Sequence, residues 1–404
     1  MRRLLRKSGS ALFLLASAVA GSLAVSCGKD TPTQPRPEQL DPALVTSGRD
    51  IFRFDTFGDE KYWTDTLRMH EVIQKGVSPA TALSVGFKVD VDSLPQSIRD
   101  ALAAGKVDLT SPATTVTLLK LNAVVGLKGD VRTVNGRDTL ARVGITCALC
   151  HSTVDNSFGK GIGHRLDGWP NMDMNPGAIV ALSPTVPAAL KAILNTWGPG
   201  KYDPRTNIDG ISTPLVLPPA YGLASVGKET YTAEGPVSYW NAYVAITQMH
   251  GQGSFSDPRI GVNIVQSPDL VTPKLTALRQ YQFSLSTPKP AAGSFDAVAA
   301  ERGRLVFNGA ATCASCHAGT AYTDINQNKL HAPSETGMDP RYAARTAEKA
   351  YRTTPLRGLL QHAPYFHDGS AATLAAVVDH YAGALKLTLS AQQKSDLIEY
   401  LKTL

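Results

Sequence analysis

Apolar residues recur at three- and four-residue spacing in three stretches of the chain, and each predicts a helix. Phe295, Val298, Ala299, Gly303, Val306 and Phe307 share one face between residues 295 and 307. Ser390-Ala391-Gln392-Gln393 carries a helix-start signal, and Leu397, Ile398, Tyr400, Leu401 and Leu404 follow as its apolar positions. Leu275, Leu278, Tyr281 and Leu285 predict a third helix over residues 272–285. Alternation replaces this period in residues 119–125 and 131–145, which predicts a β-hairpin leading directly into Cys147. Residues 46–118, including Arg49 to Phe57, read as helices and loops of the same region. The stretch Ser286 to Ser294 is rich in Pro and small residues and reads as a linker, which puts a boundary near residue 290.

The longest apolar run, Ala11 to Val25, follows Arg2, Arg3, Arg6 and Lys7 and is too short for a comfortable membrane span. It reads as the core of a secretory signal over residues 1–26. The run ends in Leu23-Ala24-Val25-Ser26-Cys27, which resembles the bacterial lipobox and implies lipidation of Cys27. A plain signal peptide cut nearby is the alternative, since Ala24 stands where the lipobox usually has Leu. Residues 27–45, rich in Pro and Gln, then read as a lipid-anchored tether. Either way the expected location is outside the cytoplasm, in the periplasm or at the cell surface, with membrane contact through the lipid. The formal charge of +6 owes much to the four leading bases, so it is poor evidence for a nucleic-acid partner, and none is expected.

Of the five cysteines, four fall into two copies of one pattern: Cys147-Ala-Leu-Cys150-His151 and Cys313-Ala-Ser-Cys316-His317. Attaching haem c requires two thiols spaced to meet the vinyl groups on one porphyrin edge, and an imidazole beside them for the iron. A redox dithiol, a half zinc site or a disulfide would explain the cysteines but not the histidine. The expected cofactors are two covalent haem c groups, with His151 and His317 as iron ligands.

A helix running into Cys-x-x-Cys-His and a terminal helix containing Asp396-Leu-Ile-Glu-Tyr-Leu401 resemble the class I cytochrome c fold. In that family a Gly four residues before an aromatic, matched by Gly303 and Phe307, lets the two helices cross closely, near Leu397 and Tyr400. The helix over 272–285 would close a first such domain, so the chain reads as a crude duplication. The expected fold is mainly α: a first cytochrome c-like haem domain over 46–287, enlarged by the hairpin insert, and a second over 292–404.

Thr354-Pro-Leu-Arg-Gly358, Ala363-Pro-Tyr-Phe-His-Asp-Gly-Ser370, Thr373-Leu374 and His380-Tyr381 resemble the C-terminal signature of the di-haem cytochrome c peroxidase and MauG superfamily. The resemblance implies two haem domains packed together, one haem relaying electrons and the other open to hydrogen peroxide or oxygen. It implies a redox protein or small electron donor as partner. Peroxide reduction, side-chain oxidation and oxygenation all occur in that superfamily, and its name does not choose among them. Classical members carry a Met, the sixth ligand of the electron-transfer haem, where this chain has Ala350. Met338, Tyr351, His362 and His367 are the candidates to replace it, and His367 is preferred. For the first haem Met172, Met174, His164, Met249 and His250 stay open. Trp169, Trp197 and Trp240 enter as rings that could relay electrons, with ordinary packing as the alternative. Arg357 is read as the partner of a haem propionate. Calcium lies between the haem domains in the peroxidases, but the sequence has no EF-hand-like acidic cluster and Ca²⁺ stays unassigned. The expected function is electron transfer through two haems, with a peroxidase or MauG-like oxidoreductase as the alternative.

Overall fold

The computed structural model describes residues 38–404; the signal peptide, Cys27 and the first part of the tether lie outside the described residues. Helix Pro42–Phe54 begins within the stretch read as tether. Asp41 caps it by accepting from the Ala43 N–H, and Pro42 suits its first turn, where no backbone donor is needed. Three more helices, Leu275–Ser284, Ala297–Asn308 and Ala391–Leu401, lie where the apolar spacing puts them. Asp296 caps the second of these through Val298 N and Ala299 N. Ser390 and Gln393 form a reciprocal capping box on the third.

These four helices pack as two pairs, Pro42–Phe54 on Leu275–Ser284 and Ala297–Asn308 on Ala391–Leu401. Each crossing turns on a glycine. A Cβ at Gly303 would lie 2.0 Å from the Asp396 carbonyl oxygen and 2.8 Å from Tyr400 Cβ. One at Gly48 would lie 1.9 Å from the Ala277 carbonyl oxygen and 2.8 Å from Tyr281 Cβ. One turn further along each helix an aromatic ring meets a tyrosine edge-on: Phe307 and Tyr400 at 5.2 Å, Phe52 and Tyr281 at 5.4 Å. The Gly48–Phe52 pair therefore repeats Gly303–Phe307, a correspondence not drawn from the sequence.

The hairpin is present with shifted strands, Leu127–Val134 against Arg137–Ile145. Its turn is Asn135-Gly136, both at positive φ (51° and 73°), which matches the twist of a tight hairpin. The stretch from Leu119 is not its first strand. Ser111 caps a helix over Pro112–Lys120, so Leu118 and Leu119 are buried as helical residues, and Asn122 at φ 53° turns the chain. Among the described residues the strands form only two-stranded sheets. Two short π-helical segments, Lys61–Thr66 and Val244–Gln248, pack together through the Trp63 indole, which donates to the Met249 carbonyl at 3.0 Å.

A second repeat lies between residues 216–235 and 352–371. Gly222 and Gly358 take left-handed conformations before the 3-10 turns Leu223–Ser225 and Leu359–Gln361. Thr230 and Phe366 match at φ 63° and 67°, and the isolated bridge Glu229–Gly235 matches Tyr365–Ala371. The copies grip each other reciprocally: Val216 N donates to the His367 carbonyl at 2.8 Å, and Arg352 N to the Tyr231 carbonyl at 2.9 Å. Such exchange is the mark of a local two-fold relation. The buried apolar residues form several clusters, and two small ones join the halves, Leu215 with Tyr342 and Tyr351, and Val226 with Ala321 and Ile325. One cluster gathers Phe52, Trp240, Tyr243, Leu278 and Tyr281, another Phe307, Leu374, Val378, Leu397 and Tyr400, and a third the segment between Trp63 and Leu217.

Candidate haem site

The hairpin delivers the first motif. Its second strand ends at Ile145, and Thr146 anchors the exit by donating from its backbone to Gly126 O and from its hydroxyl to Arg53 O. Gly126, at φ 80°, lies so close that a Cβ would come within 2.2 Å of Leu149 Cα. The second motif follows helix Ala297–Asn308 through Thr312, at φ 52°. The two motifs then fold alike. His151 N donates to Cys147 O at 3.2 Å, and His317 N to Cys313 O at 2.9 Å.

Both imidazoles are held by the nitrogen that a metal would not use. His151 Nδ1 pairs with the Pro218 carbonyl at 3.1 Å and His317 Nδ1 with the Tyr322 carbonyl at 3.0 Å, and the Thr354 backbone also meets the His317 ring. Burial pushes His151 down to about 4 and lowers His317 as well, so both rings are neutral, the form that binds a metal. Burial also pushes Cys147 and Cys150 up to about 12 and Cys313 up to about 11. The four cysteines are not paired in disulfides.

All six motif residues line one cavity of about 1010 Å³, walled mainly by apolar side chains. The group that fits must be large, largely apolar and able to take two thiols and an imidazole from each motif, and haem c meets this. A haem also carries propionates, and the wall holds a cation for one. Arg357 is buried with its Nη1 unpartnered, and burial, aided by Arg352, pulls its guanidinium down to about 10. Arg352 is already engaged by Glu229 at 3.0 Å. Replacing Arg357 with alanine is expected to lower the potential of one haem, or the holoprotein yield, because a positive charge beside the iron favours the reduced state. A spectroelectrochemical titration with unchanged potentials and yield would contradict this role.

Met338, Tyr351, His362 and His367 all line the cavity. Tyr351 and His367 act as a unit: the phenol oxygen and His367 Nε2 are 3.0 Å apart and their rings stack at 4.4 Å. His362 is held by the Arg357 carbonyl at 3.2 Å. Around the first motif, Met174, Met249 and His250 line the cavity, whereas Met172 and His164 do not. Met172 packs against Gly200, and His164 pairs with Asp92 at 2.9 Å on the surface. Trp197 and Trp240 line the cavity; Trp169 does not, and meets Tyr221 edge-on at 6.2 Å.

Several wall residues were not foreseen. Tyr202 donates to the Gln248 side-chain oxygen at 2.8 Å, and Gln248 in turn donates to Asn207, making a polar chain in an apolar wall. Tyr62 and His250 stack at 3.6 Å beside it. His331 joins Asp324 (3.0 Å) to Glu335 (2.9 Å), and Cys316, Asp324 and His331 are the one group among the described residues whose donor atoms could meet at a metal ion. A thioether to haem would occupy Cys316 and leave two donors. No periodicity or spacing in the sequence marks His331.

Behind the first motif, Asp59 is fully buried and accepts from Ile145 N. Burial pushes its carboxyl from 3.8 up to about 9, with Glu60 and Asp55 adding to the rise. The folded chain therefore holds this proton where the unfolded chain has lost it. The stability tied to Asp59 is complete below the unfolded value and drains away as pH rises toward 9. In thermal unfolding followed by circular dichroism, Asp59→Asn should flatten the fall of the midpoint between about pH 6 and about pH 9. Parallel profiles for parent and variant would mean that Asp59 is not buried as the neutral acid.

No family model matches the chain. MauG, a methylamine utilization protein of Methylorubrum extorquens, is 34% identical over 129 residues, which cover 26% of this chain and 34% of the relative. MauG of Methylophilus methylotrophus is 31% identical over 121 residues, 26% of this chain and 36% of its own length. The cytochrome-c peroxidase IdrP1 of a Pseudomonas species is 29% identical over 148 residues, 26% and 39% respectively. The chain thus matches roughly a third of the length of these relatives. The crystal structure of a MauG-like protein associated with microbial copper homeostasis shares 20% identity and covers 48% of this chain and 74% of that one. Its TM-score of 0.34 is too low to define a common overall fold. The matched sequence and the paired thiols and imidazoles point the same way: over about a quarter of its length the chain is similar to MauG and cytochrome-c peroxidase proteins, a similarity that implies haem c as its cofactor.

Proposed function

We propose that this protein is an exported di-haem c-type oxidoreductase that reduces hydrogen peroxide or a related oxidant at its first haem and draws electrons through its second. Cys147, Cys150 and His151 hold the first haem, and Cys313, Cys316 and His317 the second. They belong to two cytochrome c-like domains, residues 46–287 and 292–404. The signal peptide directs the chain to the periplasm or cell surface, and a lipid on Cys27 anchors it.

What carries this reading is an asymmetry inside a repeat. Both motifs open on one cavity, yet the turn that places an imidazole, His367, in one copy places a phenol, Tyr231, in the other. Two haems in one cavity exchange electrons readily, and different distal groups give them different tasks. His367, its imidazole pulled down by burial, would help hold the second haem, through Nδ1 while the Tyr351 hydroxyl keeps Nε2 at 3.0 Å. Around the first haem, Tyr202, Gln248 and His250 supply hydrogen-bonding groups to an oxidant in an otherwise apolar wall. Haem c, when bound, supplies one-electron transfer and, at an open coordination position, peroxide reduction. A second reading, electron transfer without a substrate, rests on Met174 and Met249. Both are buried on the cavity wall, and either could close the first iron.

The test is His367→Ala in holoprotein made with a cytochrome c maturation system. One haem should pass from low to high spin and recover on addition of imidazole, while peroxide consumption with a reduced donor drops. Unchanged spin states would remove His367 as a ligand. Absence of peroxide consumption by the parent protein would leave the electron-transfer reading. Export and lipidation are tested by cell fractionation with a labelled fatty acid, which should be incorporated by the parent and not by Cys27→Ala.

A further inference from the structure

Aromatic rings continue from the cavity wall into the body of the first half. Trp240 lines the cavity and is otherwise buried. Its ring meets Tyr239 edge-on at 5.5 Å and Tyr243 at 5.5 Å, and Tyr239 and Tyr243 stack nearly parallel at 6.4 Å. Phe255 packs against both tyrosines at 5.3 and 5.4 Å. The rings form one continuous set running from the haem cavity toward the surface, where Tyr239 is half-buried beside the exposed Pro258 and Arg259.

The hydrogen bonds of these rings decide where an oxidising equivalent would come to rest. An oxidised phenol becomes a strong acid and must lose its proton, so it is a good resting place only where a base accepts that proton. Tyr243 donates to the Pro204 carbonyl at 2.6 Å, and the Trp240 indole to the Glu229 carbonyl at 3.1 Å; neither acceptor is a base. Tyr202, also on the wall, donates to an amide oxygen, that of Gln248. Tyr239 differs: its hydroxyl donates to Asp257 Oδ2 at 2.7 Å. Arg259 fixes that carboxylate through Nε (3.0 Å) and Nη2 (2.7 Å) and lies over the Tyr239 ring at 5.8 Å. Tyr281 also donates to a carboxylate, Asp167, but its ring neighbour is Phe52, and neither lines the cavity.

We infer that Tyr239 is a redox-active tyrosine, coupled through Trp240 to the first haem, that brings an oxidising equivalent from the cavity to the surface. The inference rests on the proposed reading of the first haem as the site where hydrogen peroxide is reduced, since peroxide is the oxidant it needs. The step balances. With the first haem held by Cys147, Cys150 and His151 and oxidised by hydrogen peroxide, Tyr239 would give up one electron by way of Trp240, its O–H bond would break, the proton would pass to Asp257, and a neutral phenoxyl radical would remain. An electron-rich aromatic donor too bulky for the cavity could then return the electron and a proton at the surface beside Arg259, restoring the phenol.

The test is freeze-quench EPR of the holoprotein mixed with hydrogen peroxide, read alongside the haem absorption of the same samples. The parent should give an organic radical signal whose hyperfine structure collapses when the protein is made with ring-deuterated tyrosine. Tyr239→Phe should lose that signal while keeping the parent's haem absorption and its response to peroxide, because residue 239 lies off the cavity wall. Asp257→Asn should lose the signal or shorten its life, and Trp240→Phe should delay it. A tyrosine radical that survives in Tyr239→Phe, or haems that respond to peroxide without any tyrosine radical, would overturn the assignment and leave the peroxide reading intact. Haems that ignore peroxide would overturn both.

Discussion

Replacing Gly48 or Gly303 with alanine is expected to destabilise the protein sharply. At both positions the new Cβ would fall within 2.0 Å of a backbone carbonyl oxygen on the partner helix. No rotamer change relieves a backbone clash, so the helices must separate, and the edge-on contacts Phe52–Tyr281 or Phe307–Tyr400 go with them. Overpacking of a well-filled core costs about 1–3 kcal/mol, and these crossings belong at or above the top of that range. Gly383 is the control. It lies in helix Leu374–Ala384 with nothing within 4 Å of a Cβ, so Gly383→Ala should be neutral or stabilise by about 0.5–1 kcal/mol. Thermal midpoints of the three variants provide the check. Equal behaviour of Gly48→Ala and Gly383→Ala would mean that the first helix pair does not cross as described.

The second large effect concerns attachment. Cys313→Ala combined with Cys316→Ala should remove one haem from covalent linkage and leave the other, halving the haem that stays with the denatured chain in a pyridine haemochrome assay. The paired variant in Cys147 and Cys150 should do the same. Their consequences for folding should differ. Ala148 and Leu149, between the first pair, are buried in the core, whereas Ser315, between the second pair, is exposed. Loss of the first haem therefore uncovers more apolar wall and should cost more stability, since each buried apolar side chain is worth about 1.5–3 kcal/mol. Full covalent haem retention in either variant would contradict the assignment of those cysteines.

The site was legible where its parts are local and illegible where they are not. Cys-x-x-Cys-His packs its whole chemical demand into five consecutive residues, so composition and order alone announce it. The helix over Ala391–Leu401 was equally open, because its cap and its apolar face are both encoded within one segment. The wall opposite the motifs is different. Glu229 meets Arg352, Tyr202 meets Gln248, and Val216 meets His367 across long stretches of chain, and no local pattern pairs them. The hairpin shows a nearer miss. Alternation drew its first strand back to Leu119, although Asn135-Gly136 is the stronger signal and fixes the strands from the turn outward. Likewise Gly48 and Phe52 carry the same spacing as Gly303 and Phe307. They gained meaning only when the Leu275–Ser284 helix was seen lying against them.

Whether the first haem is open is read most directly from EPR and electronic spectra of the purified holoprotein, fully oxidised and half reduced, with and without hydrogen peroxide. The expected result is one low-spin haem that peroxide leaves alone and one high-spin haem whose spectrum peroxide changes. Two low-spin haems that peroxide leaves unmoved in either redox state would contradict it and make the chain an electron carrier.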